Sequence, residues 1–187
     1  MIPVPAQLDA RFRDAAAESG LLDAAYDVTE TPIGPLLLGA STDGLCTISF
    51  RPDPEAERER LARRFGSRVL RASKPVERAR IELDEYFEGR RDEFDLRLDL
   101  RAVPRFHVEV LHELAKVPYG TTTTYGTLAT RVGRPHAARA IGTVMNRNPI
   151  PIVLPCHRVI GANGSLVGYG GGLDVKERLL RLEGALL

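Results

Sequence analysis

The sequence predicts a two-domain α+β or α/β protein, with a small N-terminal sheet-plus-helix domain over residues 1–102 and a mostly helical C-terminal domain over residues 103–187. Three observations carry this. Short alternating apolar runs, punctuated by Gly and Pro, crowd the first half. Helical apolar spacing takes over after VPRF, at residues 103–106. The charge changes sign at the same place: residues 1–101 balance to −4 and residues 102–187 to +5, around a net +1. Net charge therefore gives no argument for nucleic acid, while the sign change suggests that only the second half meets a polyanion; ordinary solvated charge accounts for the same numbers. With 187 residues and 43% hydrophobic side chains, the chain can bury a sizeable core.

The first half reads in order as follows. Residues 6–19 predict a short helix stopping at Gly20, within an N-terminal extension over 1–22. AAYDVTETPIGPLLLGASTDGLCTISF predicts a β-meander, with PIGP and TDG as turns. Cys46, among apolar neighbours in its last strand, is expected to be a buried, inert thiol. PEAERERLARRFG (54–66) predicts a charged surface helix. VERARIELDEYFEGR predicts a second, with Val76, Ala79, Leu83, Tyr86 and Phe87 at helical spacing and Gly89 as its stop. FDLRLDL alternates apolar and polar residues, predicting an edge or half-buried strand. No chemistry is visible in this half.

Two cysteines without a CxxC pair make no disulfide framework and fit a reducing, cytoplasmic setting. The start shows no basic-then-apolar leader, and no apolar run is long enough to span a membrane.

In the second half, FHVEVLHELAKVPYG predicts a helix with Phe106, Val110, Leu111 and Leu114 on one face. TTTTYGTLATRVGR offers a Thr N-cap run, then a short helix burying Leu128, Ala129 and Val132 and stopping at Gly133. PHAARAIGTVMNRN predicts another helix, with Pro135 in its first turn and Ala138, Ile141, Val144 and Met145 apolar. Together the last two form a helix-turn-helix pattern. Ala137, Ala138, Ala140 and Gly142 would let this helix press into a DNA groove, with Arg139, the one long cation among them, reaching into the duplex. An alanine-rich core helix with Arg139 at the surface fits the same residues.

The segment PIPIVLPCHRVIG contains one of the two cysteines. Pro149, Pro151 and Pro155 predict rigid extended backbone that delivers Cys156 to the inner end of a buried run. Burial raises a thiol pKa, so a reactive Cys156 needs a cation or base, for which His157 and Arg158 are candidates. Neighbouring side chains on extended backbone face opposite ways, so a turn or a bridging water is required. Glu183, near the end of the helix VKERLLRLEG, is placed to fold back as the orienter of His157. The loop GANGSLVGYGGGLD is glycine-dense, which suits either a mobile surface loop or the close approach of a planar ligand. It lacks phosphate-loop spacing, so no nucleotide cofactor is expected.

The stretch PCHRVI, with VPYGTTTTYGTLA, HAARAIGTVMNRNPIPIVLPCHRVIG and GYGGGLDVKERLLRLEG in order over residues 104–184, resembles the O6-alkylguanine-DNA alkyltransferases, also called methylated-DNA–protein-cysteine methyltransferases. TPIGPLLLGASTDGL and ELDEYFEGRRDEFDL extend the likeness more loosely into the first half. The resemblance implies a DNA-repair protein that flips O6-alkylguanine from the duplex and transfers the alkyl group irreversibly to its own cysteine. Cys156 would be the nucleophile, His157 its base through a water, and Glu183 the orienter. Tyr125 would bond to the flipped guanine and protonate it as it leaves, and Asn148 would support the active-site turn. Arg139 would fill the vacated space, with Thr124, Ala138, Ala140, Gly142 and Arg158 also at the DNA. The carbonyls of Cys156 and Val159 would receive the guanine amino group, under a loop of Tyr169, Gly170 and Gly171.

The implied partner is double-stranded DNA at its minor groove, met by a monomer or by molecules assembling cooperatively, with no membrane and no cofactor. Cys46 and the four histidines lack ligand spacing, so no metal is expected. Against the family pattern, His107 and Leu111 stand where relatives often carry Gln and Trp, Asn146 where some carry a cation, and Gly170 where some carry Ser. Two rival readings remain at this stage: a silent binder of alkylated DNA, and a cysteine hydrolase.

Overall fold

The computed structural model describes residues 6–186. They form two compact units: one runs up to Glu85 and takes in Asp95–Ala102, and the other comprises Tyr86–Phe94 and the chain from Val103 onward. Residues 1–5 of the N-terminal extension lie outside the described residues.

The first unit opens with α1 (Ala6–Glu18), closed at Gly20, whose φ of 66° suits glycine. Strands β1 (Ala24–Thr29), β2 (Leu36–Ser41) and β3 (Gly44–Phe50) form the antiparallel meander that their alternation and turns predict. β4 (Val69–Arg71) adds in parallel to β1, giving the order β3-β2-β1-β4. No periodicity announces β4, because three residues are too few to show one. Leu36, Leu37 and Leu38 of the interior strand β2 are all buried, so both faces of the sheet are covered. One face packs Ala24, Tyr26, Leu37, Cys46 and Val69 with Leu61 of α2 (Pro54–Phe65). Asp53 caps α2 by accepting from the N–H groups of Glu55 and Ala56. Cys46 is buried, its Sγ 3.3 Å from the Gly39 carbonyl, and burial pushes its thiol up to about 12.

FDLRLDL is not a strand. It makes one bridge, Leu45 to Leu98, in which Leu45 donates to the Arg97 carbonyl and accepts from Asp99. A side chain on Gly44 would lie 2.2 Å from the Arg97 carbonyl oxygen, so glycine permits this close pass.

α3 (Glu77–Phe87), entered through a 3-10 turn at Lys74–Val76, carries the chain across the boundary; Tyr86 and Phe87 in its last turn belong to the second unit. There α4 (Arg105–Ala115), α5 (Tyr125–Arg131) and α6 (Ala138–Asn146) bury Val110, Leu111, Leu114, Leu128, Ala129, Ile141 and Val144. Thr124 caps α5 through the Thr127 N–H. α6 starts three residues later than Pro135, which instead sits in a turn closed by the Ala137 N–H on the Arg134 carbonyl.

Two-residue strands β5 (Thr123–Thr124) and β6 (Val159–Ile160) pair in parallel, an element with no sequence signature. α7 (Leu173–Leu182) closes the chain. Among the described residues no helix is long and apolar enough to cross a membrane.

Candidate active site

The prolines do not hold residues 149–155 extended throughout. A tight turn spans Pro151–Leu154, and Ile152 adopts φ 76°. A β-branched residue rarely enters that region, at a cost of about 1–3 kcal/mol. Asn148 holds the turn from outside. Its Nδ2 donates to the Leu154 carbonyl at 2.7 Å, and its Oδ1 accepts from the Ile150 N–H at 3.1 Å. Cys156–Arg158 then forms a 3-10 turn, so the cysteine and histidine are not splayed as on a strand.

Cys156 is 6% exposed and His157 fully buried. Burial pushes the Cys156 thiol up to about 11, opposed by a hydrogen bond with Asn148. Burial also moves His157 below its usual 6.5, although Glu183 pulls the other way. Both groups are therefore neutral at pH 7.

Glu183, at the C-cap of α7, is the hub of the site. Its Oε1 lies 2.7 Å from His157 Nε2 and accepts from Tyr86 Oη at 2.7 Å and Arg158 Nη2 at 3.0 Å, while Oε2 accepts from Arg158 Nε at 2.8 Å. Burial alone would raise this carboxyl, but the bonds from His157 and Arg158 bring it down to about 2. An ionised carboxylate is acceptor-only, so it fixes the proton of His157 on Nε2. Nδ1 then carries the lone pair, and this buried atom has no hydrogen-bond partner among the described residues. A Cβ on Gly120 (φ 70°) would sit 2.9 Å from the Glu183 carbonyl oxygen, so the PYG turn needs glycine to pass this hub.

A cavity of about 470 Å³ is lined by Tyr125, Ala138, Arg139, Gly142, Met145 and Asn146 on one side and Val167 and Gly168 on the other. Burial first, and the charge of a Cys156 thiolate second, raise the Tyr125 hydroxyl pKa, so that phenol keeps its proton at pH 7. Arg139 and Ala140 are exposed on α6. Of the expected loop residues, Tyr169 stands edge-on to His157 with ring centroids 6.4 Å apart. Gly171 is buried and Gly170 exposed, and the cavity wall is formed by the two residues before Tyr169. Among the described residues no group of three or more His, Cys, Asp or Glu is placed to hold a metal.

Two family models cover nearly the whole chain: 6-O-methylguanine DNA methyltransferase, ribonuclease-like domain, over residues 24–100, and the DNA binding domain of the same protein over residues 105–185. The chain belongs to the 6-O-methylguanine DNA methyltransferase family. A methylated-DNA–protein-cysteine methyltransferase of Methanosarcina acetivorans is 42% identical over 168 residues, covering 86% of this chain and 98% of that one. Its counterpart in Mycolicibacterium paratuberculosis is 44% identical over 158 residues, covering 84% and 91%. Among solved structures, the O6-methylguanine methyltransferase of Mycobacterium tuberculosis superposes with a TM-score of 0.75 at 39% identity, covering 87% of this chain and 93% of that one. A Mycobacterium tuberculosis OGT in complex with DNA superposes with a TM-score of 0.73 at 39% identity, covering 86% and 93%.

Against the expectation for this methyltransferase family, Arg158 is not free to meet DNA. It is 5% exposed and spends its guanidinium on Glu183 and, through Nη1, on the Val117 carbonyl at 2.6 Å. The resemblance places it at the DNA, but Arg158 is buried in the same 3-10 turn as Cys156 and is held inward by Glu183. Two residues of the site escaped the sequence reading. Tyr86 looked like one more apolar position of α3, and its hydroxyl role has no local signature. Lys176 is fully buried, its Nζ 2.6 Å from the Val159 carbonyl and 2.8 Å from that of Val167. A signal existed for it: residues 176, 179, 180 and 183 share one helical face, so Lys176 falls on the buried stripe of α7.

Proposed function

We propose that this chain repairs alkylated DNA by flipping O6-alkylguanine into the cavity beside Tyr125 and moving the alkyl group to Cys156, once per molecule. The observation that carries the reading is the state of His157: neutral, tethered through Nε2 to Glu183, with Nδ1 unbonded among the described residues, and following Cys156 in one buried 3-10 turn. The open nitrogen is the acceptor that a bridging water from the thiol would use. His157 takes the thiol proton through that water, and the resulting imidazolium faces Glu183. The sulfur attacks the alkyl carbon, the carbon–O6 bond breaks, and its electron pair stays on the guanine. Tyr125 donates the proton that neutralises this leaving group. The product is a thioether, which offers water no leaving group, so the protein is consumed.

α5 and α6 are read as a helix-turn-helix whose small-residue face enters the minor groove as a monomer. Ala138, Ala140 and Gly142 allow close approach, Thr124 lies at its edge, and Arg139 fills the gap left by the base. The carbonyls of Cys156 and Val159 already hold the Val159 N–H and Lys176, and each keeps a second lone pair for the guanine amino group.

The test is stoichiometric. Duplex DNA with a labelled O6-methyl group is mixed with limiting protein. Label should pass from DNA to protein and stop at one per chain. Continued turnover would refute the consumed-protein mechanism, and label released as methanol would point to a hydrolase.

A further inference from the structure

Three donors crowd one oxygen of Glu183. Oε1 lies 2.7 Å from His157 Nε2 and accepts from Tyr86 Oη at 2.7 Å and Arg158 Nη2 at 3.0 Å. Arg158 also serves Oε2, through Nε at 2.8 Å. Tyr86 therefore shares the oxygen that tethers the histidine. The transfer steps make no use of it. It stands in the last turn of α3, in the stretch Tyr86–Phe94 that belongs to the second unit. Its side chain is fully buried. The ring meets Phe87 and Tyr119 edge-on, with centroids 5.4 and 6.1 Å away, and Phe94 at a tilt, 5.4 Å away. A ring packed on three sides has its hydroxyl aimed in advance.

Burial first, and the Glu183 carboxylate second, hold this phenol well above its usual 10, so it remains a donor and carries no charge. A hydrogen bond donated to a carboxylate oxygen draws charge toward the donor, and the oxygen's hold on its other donors weakens. His157 faces Glu183 and Lys176 from α7, Cys156 and Arg158 from its own turn, and the Tyr169 ring from the loop. Burial, Arg158 and Lys176 disfavour a proton on the ring, and Glu183 favours one. Tyr86 bonds to the one group that favours it.

We propose that Tyr86 is a positioning residue for the transfer reaction: its hydroxyl limits how strongly Glu183 draws a second proton onto His157, and so keeps the ring a neutral base. This rests on the reading of His157 as the group that takes the thiol proton. Tyr86 keeps its own proton throughout. Without that hydroxyl, Oε1 retains more charge, the Nε2–H bond tightens, and the ring takes up a proton at higher pH. A doubly protonated ring has no lone pair for the bridging water, so transfer is lost from the acid side.

The experiment uses the full-length protein and Tyr86→Phe, which keeps the ring and its three aromatic neighbours. Tyr119→Phe is the control, because its hydroxyl bonds to the Leu182 carbonyl at 3.1 Å and not to Glu183. Nitrogen NMR of the His157 ring in DNA-free protein needs no activity and separates this proposal from the function it rests on. In Tyr86→Phe the Nε2–H proton should move downfield at pH 7.5. The acid limb of single-turnover methyl transfer should rise by about half a pH unit to one unit, a fraction of what a bond to a charged acceptor is worth. Tyr119→Phe should move neither. A lower rate with the limb and the Nε2–H signal in place would mean that Tyr86 only packs, and the proposal fails. Equal movement in Tyr119→Phe would assign the effect to ring packing and also overturn it. Should Tyr86→Phe not fold, fluorotyrosine at the same position decides. It is a stronger donor and should lower the limb, so an unmoved or raised limb overturns the proposal. A wild-type protein that transfers no methyl group, while Tyr86→Phe shows the ring shift, would refute the function and leave the role of Tyr86 standing.

Discussion

Replacing Glu183 with Gln changes one oxygen to an amide and removes a charge at the centre of four hydrogen bonds. The carboxyl is lowered from 4.5 to about 2. At about 1.4 kcal/mol per unit this corresponds to about 3 kcal/mol of stability at pH 7. The independent expectation for leaving a buried Arg158 without its anion is about 3–5 kcal/mol. The two agree, so Glu183→Gln should lose about 3–5 kcal/mol in urea unfolding followed by circular dichroism. Chemistry suffers separately. An amide N–H turned toward His157 would make Nε2 the acceptor and move the ring proton to Nδ1, removing the base. Single-turnover methyl transfer, measured where the variant remains folded, should fall by about a hundredfold or more. A variant within about 1 kcal/mol of wild type and within threefold in rate would refute the hub role assigned to Glu183.

Two further outcomes follow from the same geometry. Because burial holds His157 below 6.5, the unfolded chain takes up a proton there that the folded one refuses, so stability falls as pH drops below 6.5. Glu183 adds a second loss as pH falls from 4.5 toward about 2. His157→Gln should flatten the first slope, read from urea midpoints between pH 7.5 and 5; an unchanged slope would mean that His157 titrates alike in the folded and unfolded chain, against the burial argument. Arg139→Ala should slow transfer from duplex DNA by about tenfold or more, since a few kcal/mol of unstacking loses its support, and should leave transfer from free O6-benzylguanine within twofold. Equal slowing on both substrates would contradict the gap-filling role.

The parts of the fold that were legible in the sequence are those with a period or a punctuation mark. The meander shows alternation and turn residues, α2 a charged run from Pro54 to Gly66, and α5 its Thr cap. FDLRLDL misleads because alternation reports a chain with one buried face, and here that chain docks by a single bridge, Leu45 to Leu98, beside the close pass at Gly44, without joining the sheet. β4 and β6 were invisible because they are three and two residues long. In the candidate site, the sequence points to Glu183 folding back on His157, and the structure joins the two at 2.7 Å, with Cys156 in the same turn as His157. The DNA contact that the resemblance implies for Arg158 does not fit its burial, because the tertiary partners that draw it inward, Glu183 and the Val117 carbonyl, have no local signature. Tyr86 was unreadable because its partner lies 97 positions away, and only the tertiary fold joins them.

The central claim is that the buried thiol at Cys156, and not the one at Cys46, receives the alkyl group. The most direct measurement is peptide mass mapping of the full-length protein after exposure to duplex DNA containing O6-methylguanine. The account predicts that the Cys156 peptide gains the mass of one methylene, hydrogen having been replaced by methyl, in proportion to the guanine restored, while the Cys46 peptide is unchanged. Guanine restored with Cys156 unmodified, or a methyl group found on any other residue, would contradict it.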